Sequence, residues 1–288
     1  MSWVSISVDD CTGCGLCAER CVRCFTDRGD EIVVQADEIN CSLCGHCVAL
    51  CPTGAITHGK MDMDNFPEIS ADSNFETDKF VEFIRKRRSH RSFIDKPIPG
   101  EVLEKLADVC RYAPTGSNVQ DVELLIIQDR DKIRRLSDLT MESFQKARQI
   151  LEQRITAMKA EGRDIPGDMQ YSYETLQARD QMQEVREAEA DTVFHNAPAV
   201  LIFHSPAATS APKDNAVIAS TTATLTAMTM GLESTYIGIF EAASTYRPIV
   251  EALGLPAGHK VFSVLIMGYP RLKYLRAVDR KPMKVRWE

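Results

Sequence analysis

The sequence predicts an α+β protein in two parts, a small cysteine-dense module over residues 1–60 and a larger mixed domain over 77–288. Three observations predict it. Nine of the ten cysteines crowd between Cys11 and Cys51, eight of them in two copies of one spacing. Residues 61–76 are acidic, contain a proline and show no periodicity, so they read as a linker or a segment draped over a neighbour. Beyond them, apolar residues at helical spacing alternate with a few short apolar runs of strand length. A chain of 288 residues is about two domains by ordinary domain size.

The cysteine spacing carries the first chemical argument. Cys11, Cys14, Cys17 and Cys21 make one C-x2-C-x2-C-x3-C run; Cys41, Cys44, Cys47 and Cys51 make the other, followed by Pro52. Two-residue gaps let three thiolates converge on one iron–sulfur core, while the fourth ligand of each core comes from the other run. By that rule Cys11, Cys14, Cys17 and Cys51 hold one [4Fe–4S] cluster, and Cys41, Cys44, Cys47 and Cys21 the other. Tetrahedral zinc has no use for a repeated triplet with its crowded third sulfur. A disulfide framework belongs to short secreted chains, and this chain is neither short nor visibly secreted. The stretch CSLCGHCVALCPTGAI, 41–56, closely resembles ferredoxin domains of the bacterial two-cluster type. The first run departs from them at Val22, where a proline usually follows the fourth cysteine; no ligand is lost.

Within the module, Ile6 to Val8 and Ile32 to Gln35 read as short strands, and the segments after Cys14 and Cys44 as short helices. The repeat of the runs, roughly 30 residues apart, implies pseudo-twofold packing. Cys24 lies outside both runs and reads as a buried small apolar residue. A helix opening at Thr77 places Phe80, Phe83 and Ile84 on one face and ends in the basic cluster 85–91. A second helix over 101–112 buries Val102, Leu103, Leu106 and Cys110, so Cys110 reads as core. The turn 113–118 breaks it, and a strand follows at 122–127. Residues 131–190 are charged and largely helical, interrupted near Gly162 to Gly167. Ala199 to Phe203 is a strand. Asp214 to Met230 is a helix rich in small residues, suited to close packing and stopped by Gly231. Strands at 234–240 and 261–267 bracket a short helix around Pro248 to Leu253. No G-x-G-x-x-G follows a strand, so a Rossmann domain is not predicted.

Composition excludes several classes. Contents of 44% hydrophobic and 26% charged residues are those of a globular chain, and no run reaches the 18 apolar residues of a membrane span. The N-terminus lacks the basic and apolar regions of a secretory signal, and reduced cluster ligands point to the cytoplasm. Residues 1–76 carry 13 Asp/Glu against 4 Lys/Arg, whereas 77–288 carry 28 against 30. Nucleic acid is excluded as a partner by that balance. The acidic module either serves solubility or steers a basic redox partner.

Three separated stretches make the second chemical argument. Arg87-Arg88-Ser89-His90-Arg91 offers cationic forks and a hydroxyl within five residues, which a phosphate needs. Ala113-Pro114-Thr115-Gly116-Ser117-Asn118-Val119-Gln120 is a turn, and Gly268-Tyr269-Pro270 is a strand exit with basic residues following to Arg280 and Lys281. Each alone is weak. In this order, with Asn196-Ala197-Pro198 before a strand and GLESTYIG at 231–238, they resemble the FMN-dependent nitroreductase family over residues 77–288. The fusion resembles its ferredoxin–nitroreductase subgroup.

That resemblance implies an α/β sandwich that forms a homodimer with FMN at the subunit interface. Carried over by position, Arg87, Arg88, Ser89 and Arg91 bind phosphate and ribityl oxygens, completed by Arg280 and Lys281. Pro114, Thr115, Ser117 and Asn118 line the ring from the partner subunit, with Asn118 hydrogen-bonding it. Ile237, Gly238 and Ile239 supply backbone near the reactive edge. The family commonly has a second small residue near Ile239, so access is expected to be narrowed there. Clusters move single electrons and many organic reductions need two, a gap that a flavin bridges. The expected path is cluster to cluster to FMN to a nitroaromatic, quinone or other electron-poor small molecule, fed by a ferredoxin or another redox protein. In a rival order, NAD(P)H reduces FMN and the clusters are the outlet. In a third reading the chain is an electron-transfer module serving a protein. The flavin does the chemistry, so no catalytic side chain is assigned. Tyr171, Tyr173, His195 and Tyr236 are proton-donor candidates by residue type alone.

Overall fold

The computed structural model describes residues 2–29, 31–185 and 191–288. The chain divides into two compact units, residues 1–76 with 116–119, and residues 77–115 with 120–288.

In the first unit, β1 (Val4–Ile6) pairs antiparallel with β4 (Ile56–His58), and β2 (Phe25–Asp27) with β3 (Ile32–Val34). The helices α1 (Leu16–Arg20) and α2 (His46–Leu50) each begin one residue after the glycine that follows the second cysteine of a run. Gly15 and Gly45 cap them with φ of 75° and 67°, left-handed values that a side chain resists. The shared cap is the structural counterpart of the repeat in sequence. Strand β1 lies two residues before the expected Ile6 to Val8. Cys11 N bonds Ser7 O there, so the chain is already turning into the cysteine loop, and Val8 is exposed. Strands β2 and β4, three residues each, have too little pattern to be read from sequence.

The second unit is a helix–sheet–helix sandwich. The strands β5 (Glu123–Ile127), β6 (Ala199–Pro206), β7 (Glu233–Tyr236) and β8 (His259–Gly268) form one antiparallel sheet in the order β5-β6-β8-β7. Side chains alternate between the faces. Ile127, Val200, Ile202, Val264 and Ile266 face a core that includes Leu136, Phe194, Phe240 and Ile249. Ala199, Leu201, Phe203, Leu265 and Met267 face one that includes Leu106, Ala216, Ala219 and Ala223. Seven of the eight residues of β6 are buried, which is why it reads as a continuous apolar run.

The first core is covered by α5 (Arg130–Ala160), α8 (Gly238–Ala243) and α9 (Arg247–Leu253), and the second by α4 (Gly100–Cys110) and α7 (Pro212–Thr229). Helix α7 ends in a Schellman motif: Leu232 N bonds Ala227 O at 3.0 Å, Gly231 N bonds Met228 O, and Gly231 has φ of 75°. Helices α5 and α6 (Gly167–Val185) separate where the interruption at 162–167 was expected; 186–190 of that stretch lie outside the described residues. Cys110 packs against the second core, and burial pushes its thiol up to about 11.

One further expectation changes. The strand expected over 234–240 stops at Tyr236: Ile237 N makes a last sheet bond to Val264 O, and the chain then turns into α8. Phe240 is fully buried against Phe194, ring centroids 5.1 Å apart, which holds that helical turn on the core. Helix α3 (Thr77–Lys86) forms as expected, but Phe80 and Ile84 of its apolar face remain 47% and 41% exposed. The stripe is real and the single chain leaves it largely uncovered.

Candidate cofactor sites

The eight cysteines fall around two cavities. Cys11, Cys14, Cys17 and Cys51 line one, together with Gly15, Ile32 and Ile56. Cys21, Cys41, Cys44 and Cys47 line the other, with Cys24, Gly45 and His58. Each cavity therefore takes three cysteines from one run and the fourth from the other. Burial works against the Cys51 thiolate, but hydrogen bonds from the Thr53, Ala55 and Ile56 backbone outweigh it and hold the pKa below the usual thiol value. Such bonds are the outer-shell contacts that tune a cluster's sulfurs.

The second cavity contains two groups that spacing did not mark. The Cys24 thiol is pushed up to about 12 by burial and by its neighbours Cys21 and Cys41, so it stays a thiol at neutral pH. Its reading as a buried apolar residue agrees with that. His58 is buried, with Nε2 3.4 Å from Cys41 Sγ. Val22, in place of the usual proline, is exposed and lines this cavity.

In the second unit, the basic segment 87–91 runs beside the start of β7, where His90 N bonds Ser234 O at 3.1 Å. Arg88 donates from Nη1 to Arg85 O and Arg87 O and from Nη2 to Arg276 O. Its Nε is buried without a partner, a donor the protein itself leaves unused. Ser89 and Arg91 are exposed. His90 is buried, with Nε2 3.5 Å from Glu233 Oε2 and the Tyr274 ring edge-on at 5.0 Å. The residues His90 and Glu233 had no local signal, being 143 positions apart in the numbering.

Burial raises the Glu233 carboxyl above its ordinary value, and Lys86, Arg87 and Arg88 only partly oppose it. A carboxyl raised in the folded state favours folding below its unfolded pKa and loses that contribution as pH rises through the folded one. Glu233→Gln is therefore expected to raise the melting temperature of the flavin-free protein at neutral pH, with the gain shrinking as pH falls towards 4. Thermal melts across that range test this; a gain that grows with acidity refutes the assignment.

Three motifs of the resemblance meet around Gly268. A Cβ there would lie 2.6 Å from Pro198 Cδ and 2.9 Å from Phe93 Cδ1, so only glycine fits. Phe93 bridges Pro270, Ile94 N bonds Tyr269 O and Arg271 N bonds Ser92 O, pinning the exit of 87–91 to the end of β8. The loop before β6 is ordered by Asp191, whose carboxylate accepts from Ser137 Oγ and from Val193, Phe194 and Asn196 N. His195 and Asn196 both take a φ of 53° in this loop.

The other expected flavin residues are placed variously. Ile237 is the buried cap of α8, Gly238 its exposed first residue, and Ile239 partly buried. The first turn of a helix leaves N–H groups without intrahelical partners, as backbone donors to a ring require. In the 113–120 turn Pro114 is exposed, and Thr115 Oγ1 accepts from Gln120 N at 3.0 Å. Ser117, Asn118 and Gln120 all have φ near +50°, at 54°, 55° and 49°. Asn118, in the first unit, donates from Nδ2 to Ser42 O and Leu43 O at 2.8 and 3.1 Å. Arg280 is exposed; its hydrogen bonds run to Asp279, and none joins it to the 87–91 segment. Of the proton-donor candidates, Tyr171 is exposed and Tyr173 reaches Glu152 at 3.4 Å. Tyr236 differs from them: its hydroxyl lies 2.9 Å from Thr221 Oγ1 and 3.5 Å from Ser220 Oγ, which in turn accepts from Ser263.

Comparison with known proteins matches residues 84–269 to the nitroreductase family and residues 34–57 to a 4Fe-4S binding domain. A protein of Archaeoglobus fulgidus, whose name couples NADH dehydrogenase with NAD(P)H nitroreductase, is 23% identical over 195 residues, 66% of this chain and 85% of that one. A ferredoxin of Methanothermococcus thermolithotrophicus is 44% identical over 57 residues, 19% of this chain and 93% of its own. A Bacteroides fragilis nitroreductase solved with bound FMN superposes with a TM-score of 0.54 at 18% identity, covering 73% of this chain and all of that one, which shows the fold. No helix among the described residues is long and apolar enough to cross a membrane. The chain is an oxidoreductase that belongs to the nitroreductase family and carries an N-terminal 4Fe-4S binding domain.

Proposed function

We propose that this is an iron–sulfur flavoprotein that passes electrons from two [4Fe–4S] clusters to FMN and on to a nitroaromatic, quinone or other electron-poor small molecule. The observation that carries it is the sorting of eight cysteines into two cavities, each with three from one run and the fourth from the other. FMN, when bound, takes up electrons singly and delivers them in pairs. Arg87, Arg88, Ser89 and Arg91 hold its phosphate, with the unpartnered Arg88 Nε as one donor. The backbone of Gly238 and Ile239 faces its ring beside Ile237, whose own N–H is spent on Val264 O, and Pro114, Thr115, Ser117 and Asn118 of a second copy enclose it. Arg280 completes the phosphate site from the tail whose Arg276 O accepts from Arg88 Nη2. Tyr236, one residue before Ile237, is the proton donor that its hydroxyl chain to Thr221, Ser220 and Ser263 favours.

The uncovered apolar face of α3 supports a homodimer, to be checked by sedimentation. Reduced cysteine ligands support a cytoplasmic location. Arg88→Ala is expected to weaken FMN retention by about 10-fold or more, the loss of a charge-assisted phosphate contact. Fluorescence of flavin released on dilution measures it, and unchanged retention removes Arg88 from the site.

The deciding experiment is anaerobic reduction of the cluster- and flavin-loaded protein, with cluster and flavin absorbance followed separately. A reduced ferredoxin is expected to bleach the clusters and then the flavin. If NADH or NADPH reduces the flavin first, the clusters are an outlet, a reading supported by the name of the Archaeoglobus relative. If no small acceptor gives turnover, the chain serves a protein acceptor instead.

A further inference from the structure

We propose that Glu123, His204 and His259 form a binding site for a divalent transition-metal ion of the zinc class, built from none of the residues given to the clusters or the flavin. The three residues come from adjacent strands at one end of the sheet. Glu123 on β5 stands directly opposite His204 on β6, and His259 opens β8, paired with Pro206. Period-two alternation puts them on one face: Glu123 with Leu125 and Ile127, His204 with Ile202 and Val200, His259 with Val261. An irregularity in the ladder between Phe203 and His204 sits at this point, a device that re-aims a side chain.

One donor atom from each residue lies within 4.8 Å of the other two. His204 Nδ1 and His259 Nδ1 are 3.0 Å apart, while the Nε2 atoms lie 4.0 and 3.9 Å from the Glu123 oxygens. Those last separations are too long for hydrogen bonds, so the carboxylate is drawn towards the imidazoles without being bonded to either. Tetrahedral zinc with bonds of about 2.1 Å keeps its donors about 3.4 Å apart, a spacing that small side-chain rotations reach from here. Two imidazoles and one carboxylate favour zinc, nickel or cobalt over calcium or magnesium. His204 is 4% exposed and the Glu123 side chain 55%, so a fourth position is open to water. A bound ion would tie β5, β6 and β8 together at that end.

The test uses the full chain with its iron complement intact. It is incubated with Zn²⁺, desalted, and assayed for zinc and iron together. Wild type is expected to retain about one zinc per chain with iron unchanged, and its melting temperature to rise with Zn²⁺. His259→Gln and Glu123→Gln are expected to retain about tenfold less, with unchanged iron. These two variants decide the outcome even if the more buried His204→Gln does not fold. Wild type retaining no zinc overturns the proposal, as do variants that retain as much as wild type, since the metal then sits elsewhere.

Discussion

Alanine at Cys21 is expected to cost the protein about half its iron, and the iron lost is that of the cavity lined by Cys41, Cys44 and Cys47. Cys21 is close in sequence to Cys17, so simple proximity would assign it to the cavity of Cys11, Cys14 and Cys17. The structure groups it instead with the second run, 20 positions away from Cys41. Iron and sulfide counts on pairs of substitutions separate the two assignments, because ligands of one cluster act as a unit. Cys21→Ala with Cys44→Ala should lose no more than either change alone, whereas Cys21→Ala with Cys14→Ala should lose nearly everything. The reverse pattern would show that each run holds its own cluster, and the electron path proposed above would need another geometry.

Gly268→Ala is expected to destabilise the second unit by about 2–3 kcal/mol, near the top of the range for one methyl forced into a packed site. That is a fall in melting temperature of roughly 5–10 °C for a unit of this size. The reason is the identity of the obstacle. The new methyl meets the ring of Pro198 at 2.6 Å, and a proline ring fixed to its own backbone does not swing aside as a long side chain would. Phe93 closes the other side at 2.9 Å. Circular dichroism melts under anaerobic conditions measure the change; a melting temperature within a degree of wild type would mean the loop before β6 yields freely. Flavin retention should fall as well, since the same contact anchors the exit of the 87–91 segment.

How much of this was legible in the sequence follows from how local each cause is. Cluster chemistry dictates ligand spacing along the chain, so Cys11 to Cys51 could be read directly. Helix α4 also showed, because a 3.6-residue period is a local property, and α7 showed through its run of small residues and the stop at Gly231. The stop of β7 at Tyr236 did not: strand and helix both accept the residues Ile237 to Phe240, and the choice was made by Phe240 packing on Phe194. Likewise the apolar stripe of α3 was visible, but whether anything covers it depends on what stands opposite. The meeting of Arg88, His90 and Glu233, and that of Glu123, His204 and His259, depend on sheet order, and sheet order leaves no mark on neighbouring residues.

The sheet order also has a consequence for synthesis. The centre of the sheet joins β6, complete at Pro206, to β8, which runs from His259 to Gly268. During translation, β6 therefore leaves the ribosome more than 50 residues before its inner partner exists. Until then this strand, apolar towards both faces, has β5 on one side and an open row of backbone donors and acceptors on the other. Such an edge is a template for the wrong chain. The nascent protein is expected to depend on a holding chaperone during that interval, and expression slowed between codons 206 and 268 should shift the product towards inclusion bodies.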